Sequence, residues 1–425
     1  MHPGALLDLT TDLLHAVLRL DAPADGVVSA FFRAHRELGQ RDRHVLAETV
    51  YQVLRRRLLL EHLAQVGGGK LGAAARERRM AILAWQGDSA ALASALSADE
   101  RQWLAQSERV DRSALPDKLR HNLPDWLASA LHGSLPEDEF WALVAALDQP
   151  APLDLRVNLH KSTREVALKT LADVGITATP TPYSPWGLRI DGRPALQRLE
   201  LFTGGAVEVQ DEGSQLLALL TDARRGEMVV DFCAGAGGKT LALGAAMRSS
   251  GRLYAFDVSA PRLEALKPRL ARSGLSNVHP VRIAHERDDR IRRLAGKIDR
   301  VLVDAPCSGL GTLRRNPDLK WRQSPDSVTE MHQRQLAILT SAARLLKPGG
   351  RLVYATCSLL REENEAVVEA FEAASMVGLQ PLPAADALAH ARVNAAEGLV
   401  DGRFLRLWPH RHQTDGFFAA LWEKN

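Results

Sequence analysis

Cysteine is nearly absent: the 425 residues contain three, Cys233, Cys307 and Cys357. That excludes a disulfide-stapled scaffold. With no CxxC pair and no Cys/His cluster at ligand spacing, no metal is expected, and the natural setting is a reducing compartment. Long apolar runs are missing too. Nothing approaches the roughly 18 residues of a membrane span, and the start, MHPGALLDLTTDLL, places Asp8 and Asp12 where a signal peptide needs a cationic flank. The expectation is a cytoplasmic protein with no membrane partner. Strong charge of either sign is also lacking, since a formal net charge of +3 permits nucleic acid as a partner without requiring it. No internal repeat or low-complexity tract interrupts the chain.

What is present divides into three stretches, as the length leads one to expect. Residues 1–148 read as all-helical, with Leu46, Val50, Val53, Leu54 and Leu58 recurring at helical spacing among basic residues. Residues 149–222 begin with prolines, then alternate like a strand up to Asn158 and continue as an amphipathic helix ended by Gly175, which predicts a small α+β module. In residues 223–425 the runs EMVVDF, RLYAFD, HPVRI, DRVLVDAP and RLVYAT alternate with helical stretches. That is the βαβα signature of a Rossmann-like, doubly wound and mostly parallel sheet, whose ligands bind at the carboxyl ends of its strands.

The first of these strands runs into DFCAGAGGKT, Asp231 to Thr240, a glycine-rich turn that opens a helix and lets backbone N–H groups approach a ligand. A phosphate loop needs glycine six residues before Lys239, and Cys233 stands there, so a nucleoside fits better than a triphosphate. Asp257 ends the second strand nineteen residues after Gly238, where a carboxylate can accept both ribose hydroxyls, as it would in an NAD enzyme as well. Its alternative reading is a helix cap for the segment beginning at Pro261.

Cys307 and Cys357 follow the fourth and fifth strands in DAPCSGLGTLRRNPDLKWR and YATCSLLREENE. A free cysteine is most often a buried small hydrophobe, but three scarce cysteines all at ligand-side strand ends are hard to credit to packing. Together DFCAGAGGKT, DAPCSGLGTLRRNPDLKW and YATCSLLREENE resemble the Sun/Nop family of RNA 5-methylcytosine methyltransferases over about 205–425. The resemblance implies S-adenosylmethionine as cofactor, Cys357 as the nucleophile that adds to cytosine C6, and Cys307 as the residue that assists release. It also implies that Asp304 contacts the cytosine edge and the cofactor and that Lys239 orients Asp304. Cys233, Ala234, Gly235, Ala236, Gly237, Gly238 and Lys239 would line the methionine end, Asp257 would hold the ribose, and Arg262 and His285 would complete the cofactor site. The chemistry is coherent: a thiolate is strongly nucleophilic, its addition makes C5 enamine-like, and a base must then remove the C5 proton. Two departures stand out. Ala236 replaces the family's usual proline, and RIAHERDD, 282–289, lacks the aspartate that reads the adenine, leaving His285, Glu286 or a backbone contact for that task. His285 is equally consistent with a structural surface residue.

Residues 27–57 are similar to the NusB-like RNA-binding domain of RsmB-like bacterial members, which act on small-subunit ribosomal RNA; Arg41, Asp42 and Arg43 carry the match. The small module, with VEVQDEGSQL at 207–216, also looks like that family's. RNA, most simply ribosomal RNA, is therefore the expected partner of a monomeric enzyme. Arg55–Arg57, Arg287–Arg293 and the Arg314–Arg322 loop could neutralise phosphates, with Trp321 stacking on an unpaired base, or could be ordinary solvated faces. Only the third adjoins the expected crevice. Two rivals remain: the same chemistry on transfer RNA or another RNA, and an RNA-binding assembly factor with a degenerate catalytic half. A DNA cytosine methyltransferase would use the Pro-Cys thiol as nucleophile and would not need Cys357.

Overall fold

The computed structural model describes residues 1–68, 71–374 and 378–425, which form two compact units. One comprises Met1–Gln149 together with Leu313–Ser324, the other Pro150–Thr312 together with Pro325–Asn425. Among the described residues, no helix is long and apolar enough to cross a membrane.

The first unit is helical because its apolar residues fall on stripes. Helix Gln40–Arg55 buries Val45, Leu46, Thr49, Val50, Val53 and Leu54, and helix Pro3–Leu18 buries Leu6, Leu7, Leu13, Leu14 and Val17. Each such aliphatic side chain contributes on the order of 2 kcal/mol. The stripe does not run on through Leu58 as one helix: the backbone breaks at Arg56, and Arg57–Ala64 starts afresh with Leu60 and Leu63 inward.

The Leu313–Ser324 segment is packed against the helices of this unit instead of standing out as an open basic loop. Lys320 Nζ donates to the Arg55 carbonyl (2.7 Å), Trp321 Nε1 donates to the Leu54 carbonyl (2.7 Å), and Arg55 donates to the Arg314 carbonyl (2.9 Å). Asp318 accepts the Ala24 N–H at 3.1 Å, placing a carboxylate at the start of helix Ala24–Ala34, whose own N-cap, Pro23, supplies no side-chain cap. The Trp321 indole and the Asp318 carboxylate are thus engaged in holding the segment to the helices. The Arg55–Arg57 run is not an open phosphate surface either: Arg55 is buried, Arg56 is bidentate to Asp148 and Arg57 pairs with Glu61.

The second unit contains two sheets. The smaller has strands β1 (Leu153–Val157), β2 (Ala178–Pro180), β3 (Gly187–Ile190) and β4 (Val207–Val209), antiparallel in the order β2-β3-β1-β4. Helix Arg164–Asp173 packs Ala167 and Leu171 into the same core. Glu208 on β4 pairs with Arg269 and Arg272, tying this sheet to helix Ala260–Ser273.

The larger sheet has β5 (Met228–Asp231), β6 (Arg252–Asp257), β7 (Val278–Arg282), β8 (Ile298–Asp304), β9 (Leu346–Thr356), β10 (Leu379–Leu382), β11 (Val400–Asp401), β12 (Phe404–Leu407) and β13 (Phe417–Lys424). Their order is β11-β12-β13-β9-β8-β5-β6-β7, with β10 also on β13. Strands β5 to β9 are parallel, and β13 runs antiparallel to β9. Apolar clusters cover both faces, which is why these strands read as near-continuous hydrophobic runs. The strand order reverses between β5 and β8, and the crevice of a doubly wound sheet opens at such a switch point.

Candidate active site

At that switch point the turn after β5 is shaped by two glycines with positive φ, Gly235 (+55°) and Gly237 (+84°). A Cβ on Gly237 would lie 2.1 Å from Leu266 Cδ1, so only glycine lets the turn close onto helix Ala260–Ser273. Asp257, at the end of β6, fastens this turn: its Oδ2 accepts the Gly235 N–H (2.8 Å) and its Oδ1 accepts the Ser259 N–H (2.7 Å). Ser259, not Asp257, is the cap residue of the following helix, which removes the capping alternative. Each carboxylate oxygen keeps a further lone pair for a ligand.

The turn, the ends of β6 and β8 and the residues after β8 and β9 enclose a cavity of about 940 Å3. Cys233, Ala234, Gly235, Ala236, Gly238, Lys239, Asp257, Arg262, His285, Glu286, Asp304, Cys307 and Cys357 all line it. Of the residues assigned from sequence to catalysis or the cofactor only Gly237 does not; its place is against Leu266. His285 and Arg262 are exposed at the rim, and His285 Nδ1 accepts the Arg287 N–H at 3.1 Å. The arginines at 287, 290, 292 and 293 are exposed, and Arg292 is paired with Asp289.

The charged groups are arranged in a chain. Lys239 Nζ lies 2.7 Å from Asp304 Oδ2. Burial alone would lower the lysine's pKa, but the adjacent carboxylate outweighs it and holds the ammonium above its ordinary range. Behind them Asp231 is fully buried, accepts from Thr240 Oγ1 at 2.7 Å, and is pushed up to about 7 by burial.

The two thiols meet: Cys307 Sγ and Cys357 Sγ are 3.3 Å apart. Cys307 is held well above the usual thiol range by its hydrogen bond to Cys357, by burial and by the charges of Cys357 and Glu363. Burial likewise raises Cys233.

The contact between the thiols depends on a residue that sequence reasoning passed over. Glu363, fully buried, accepts from the Ser308 N–H (2.7 Å), Ser308 Oγ (2.5 Å), Ser358 Oγ (2.5 Å) and Gln335 Nε2 (3.1 Å). Ser308 and Ser358 each follow a cysteine directly, so one carboxylate clamps both cysteine loops. It was visible only as part of an acidic run, REENE; a buried carboxylate among exposed-looking charges has no local signature. Gln210, Ser214, Met331 and Arg334 also line the cavity without a motif to mark them.

Comparison with known proteins agrees with this geometry. The sequence model of 16S rRNA methyltransferase RsmB/F matches residues 218–423, and that of an RsmF/B-like ferredoxin-like domain matches residues 123–197. The probable ribosomal RNA small subunit methyltransferase B of Synechocystis sp. is 30% identical, the match covering 97% of this chain and 98% of that protein. The crystal structure of PH0851 covers 100% of this chain and 99% of its own at 26% identity, with a TM-score of 0.79. That of a methyltransferase homolog protein from Pyrococcus horikoshii covers 74% of this chain and 100% of its own at 29% identity, with a TM-score of 0.61. The chain is an RNA methyltransferase and belongs to the RsmB/F family.

Proposed function

We propose that the chain transfers a methyl group from S-adenosylmethionine to C5 of a cytosine in small-subunit ribosomal RNA, through a Cys357 thiolate that adds to C6. The observation that carries this reading is the 3.3 Å approach of Cys307 and Cys357 on the wall of one cavity that also presents Asp304 and Lys239. The substrate follows from the relatives' names.

The cavity suits the cofactor. Its volume of about 940 Å3 lies within the range of small-molecule sites, and the space where a Gly235 side chain would stand is open, so the loop backbone can approach a ligand. Asp257 takes the ribose, Cys233 to Lys239 the methionine end, and Arg262 with His285 or Glu286 the adenine end. When bound there, S-adenosylmethionine supplies an electrophilic methyl on a positively charged sulfur.

The residues of the chain then act in sequence. Asp304, held by Lys239, accepts a hydrogen bond from the cytosine amino group, which uracil lacks. Cys307 keeps its proton and donates it to the Cys357 thiolate as a hydrogen bond. Cys357 Sγ forms a bond to C6, and the displaced electron pair lets C5 take the methyl. Cys357 is now an uncharged thioether, so the largest of the influences holding Cys307 high is gone, and Cys307 can release its proton to solvent. Its thiolate removes the C5 proton, the S–C6 bond breaks with its electrons returning to Cys357, and both sulfurs regain their starting states. The net proton released balances the positive charge lost from the methyl donor. The helical unit, read as NusB-like, and the small sheet add RNA affinity without chemistry.

The test is a denaturing gel of the chain incubated with small-subunit RNA and cofactor. Cys357→Ala should give no covalent adduct and no methylation, whereas Cys307→Ala should accumulate a protein–RNA adduct that survives denaturation. An adduct in the Cys357 variant and none in the Cys307 variant would overturn the assignment.

A further inference from the structure

A second cavity, of about 330 Å3, lies wholly within the helical unit, walled by Arg55, Arg120, His121, Trp141 and Lys320 among others. The carboxylate on its wall, Asp148, is already bidentate to Arg56. Lys320 is 6% exposed, and its ammonium donates to the Arg55 carbonyl without a carboxylate in ion-pair range among the described residues. A buried ammonium without a counterion is strongly disfavoured, and burial accordingly pushes Lys320 down to about 7.

The remaining wall says what kind of anion fits. His121 Nδ1 accepts the Leu123 N–H at 3.0 Å, which leaves the ring proton on Nε2 as a neutral donor, and burial pushes the ring's pKa down. Arg120 lies 4.6 Å over the Trp141 ring and is half-exposed at the mouth, where it pairs with Asp117. Lysine as a point charge and a neutral imidazole donor together match phosphate oxygens, and an aromatic beside them suits a sugar or base. The volume is that of a small ligand site, enough for one nucleotide and too little for a duplex.

We infer that this cavity holds one phosphate-bearing nucleotide of the RNA substrate, its phosphate on Lys320 and its sugar or base against Trp141. The inference rests on the chain acting on RNA and is independent of the cytosine chemistry. Its test is a binding measurement without cofactor, so it can fail while the methylation reading stands, and the reverse.

The probe is a fluorescein-labelled single-stranded RNA of mixed sequence, titrated into the full-length chain. Lys320→Met keeps the apolar stem and removes a buried charge. It should weaken binding about tenfold or more and flatten the slope of log affinity against log salt by about 0.7, and in the parent chain RNA should shield Lys320 from reductive methylation. Lys347→Met removes an equal charge at the amino end of β9, remote from the strand ends that bear the cavity of the thiols, and should change neither quantity. Unchanged affinity and slope for Lys320→Met, or an equal loss for Lys347→Met, would overturn the inference. Inorganic phosphate that shields Lys320 as well as RNA does, with RNA affinity untouched by the substitution, would also overturn it and assign the cavity to a free anion. If Lys320→Met fails to fold, Arg120→Gln at the half-exposed mouth carries the same salt-slope readout.

Discussion

Replacing Glu363 should separate the positioning of the thiols from the binding of the cofactor. The carboxylate accepts four hydrogen bonds from the two cysteine loops and Gln335, yet it is not on the cavity wall. In Glu363→Ala the two serine hydroxyls, 3.3 Å apart, can satisfy one another, but the buried Ser308 N–H is orphaned at about 1 to 3 kcal/mol, and the emptied space adds to that. The total should be about 3 to 5 kcal/mol, the range for breaking a buried charged network. Glu363→Gln keeps the shape and the oxygen facing Ser308 N–H and Gln335, and turns only the hydroxyl side from acceptor to donor, so about 1 to 2 kcal/mol is expected. That smaller change suffices to relax the sulfur contact, and a misplacement of about 1 Å costs roughly a hundredfold in rate. The assays are urea unfolding, calorimetric cofactor affinity and single-turnover methyl transfer. Glu363→Gln should lower the methyl-transfer rate about ten- to a hundredfold with cofactor affinity unchanged. A further readout is specific to the electrostatics. Cys307 is held up first by its hydrogen bond to Cys357, then by burial and the charge of Cys357, and then by Glu363, so its alkylation by iodoacetamide should shift to lower pH in the variant. A parental rate, or a loss of cofactor affinity equal to the loss of rate, would refute the clamp.

Three further outcomes follow from the same geometry. Asp257→Ala should weaken S-adenosylmethionine binding by about 1.5 to 3 kcal/mol, partly because the Gly235 and Ser259 amides lose their common anchor; unchanged calorimetric affinity removes Asp257 from the site. Asp231, lifted to about 7 by burial from an ordinary value of 3.8, contributes stability that is full below about 4 and lost as pH rises through about 7. Asp231→Asn should therefore gain on the parent by up to about 4 kcal/mol between those limits, and a flat or reversed difference in urea unfolding would contradict this. Trp321→Ala should destabilise the helical unit by about 3 kcal/mol, with Trp321→Phe recovering all but the roughly 1 kcal/mol of the bond to the Leu54 carbonyl; a loss of RNA affinity without loss of stability would restore the stacking role.

The sequence by itself determined the α/β class, the five parallel strands and the place of every motif at a strand end, because each rests on periods of a few residues: alternating or continuous apolar runs, then a turn. Cys233, Lys239, Asp257, Asp304, Cys307 and Cys357 were legible for that reason, since a doubly wound sheet gathers its carboxyl ends whatever joins them. The tertiary structure decided what local pattern cannot encode. Lys320, Trp321 and Arg55 look like solvated charge and stacking surface, yet residues 313–324 are packed among the helices; a basic run reads the same whether water or protein surrounds it. Glu363 belongs to an acidic run whose other members gave no reason to choose it, and only the meeting of the β8 and β9 loops makes it the shared acceptor for Ser308 and Ser358. The antiparallel β13 between β9 and β12 was likewise hidden, because a run of apolar residues at the end of a chain does not state its pairing. Burial and partnership are properties of distant segments brought together, and the desolvation that raises Asp231 and Cys233 and lowers Lys320 exists only once those segments have packed.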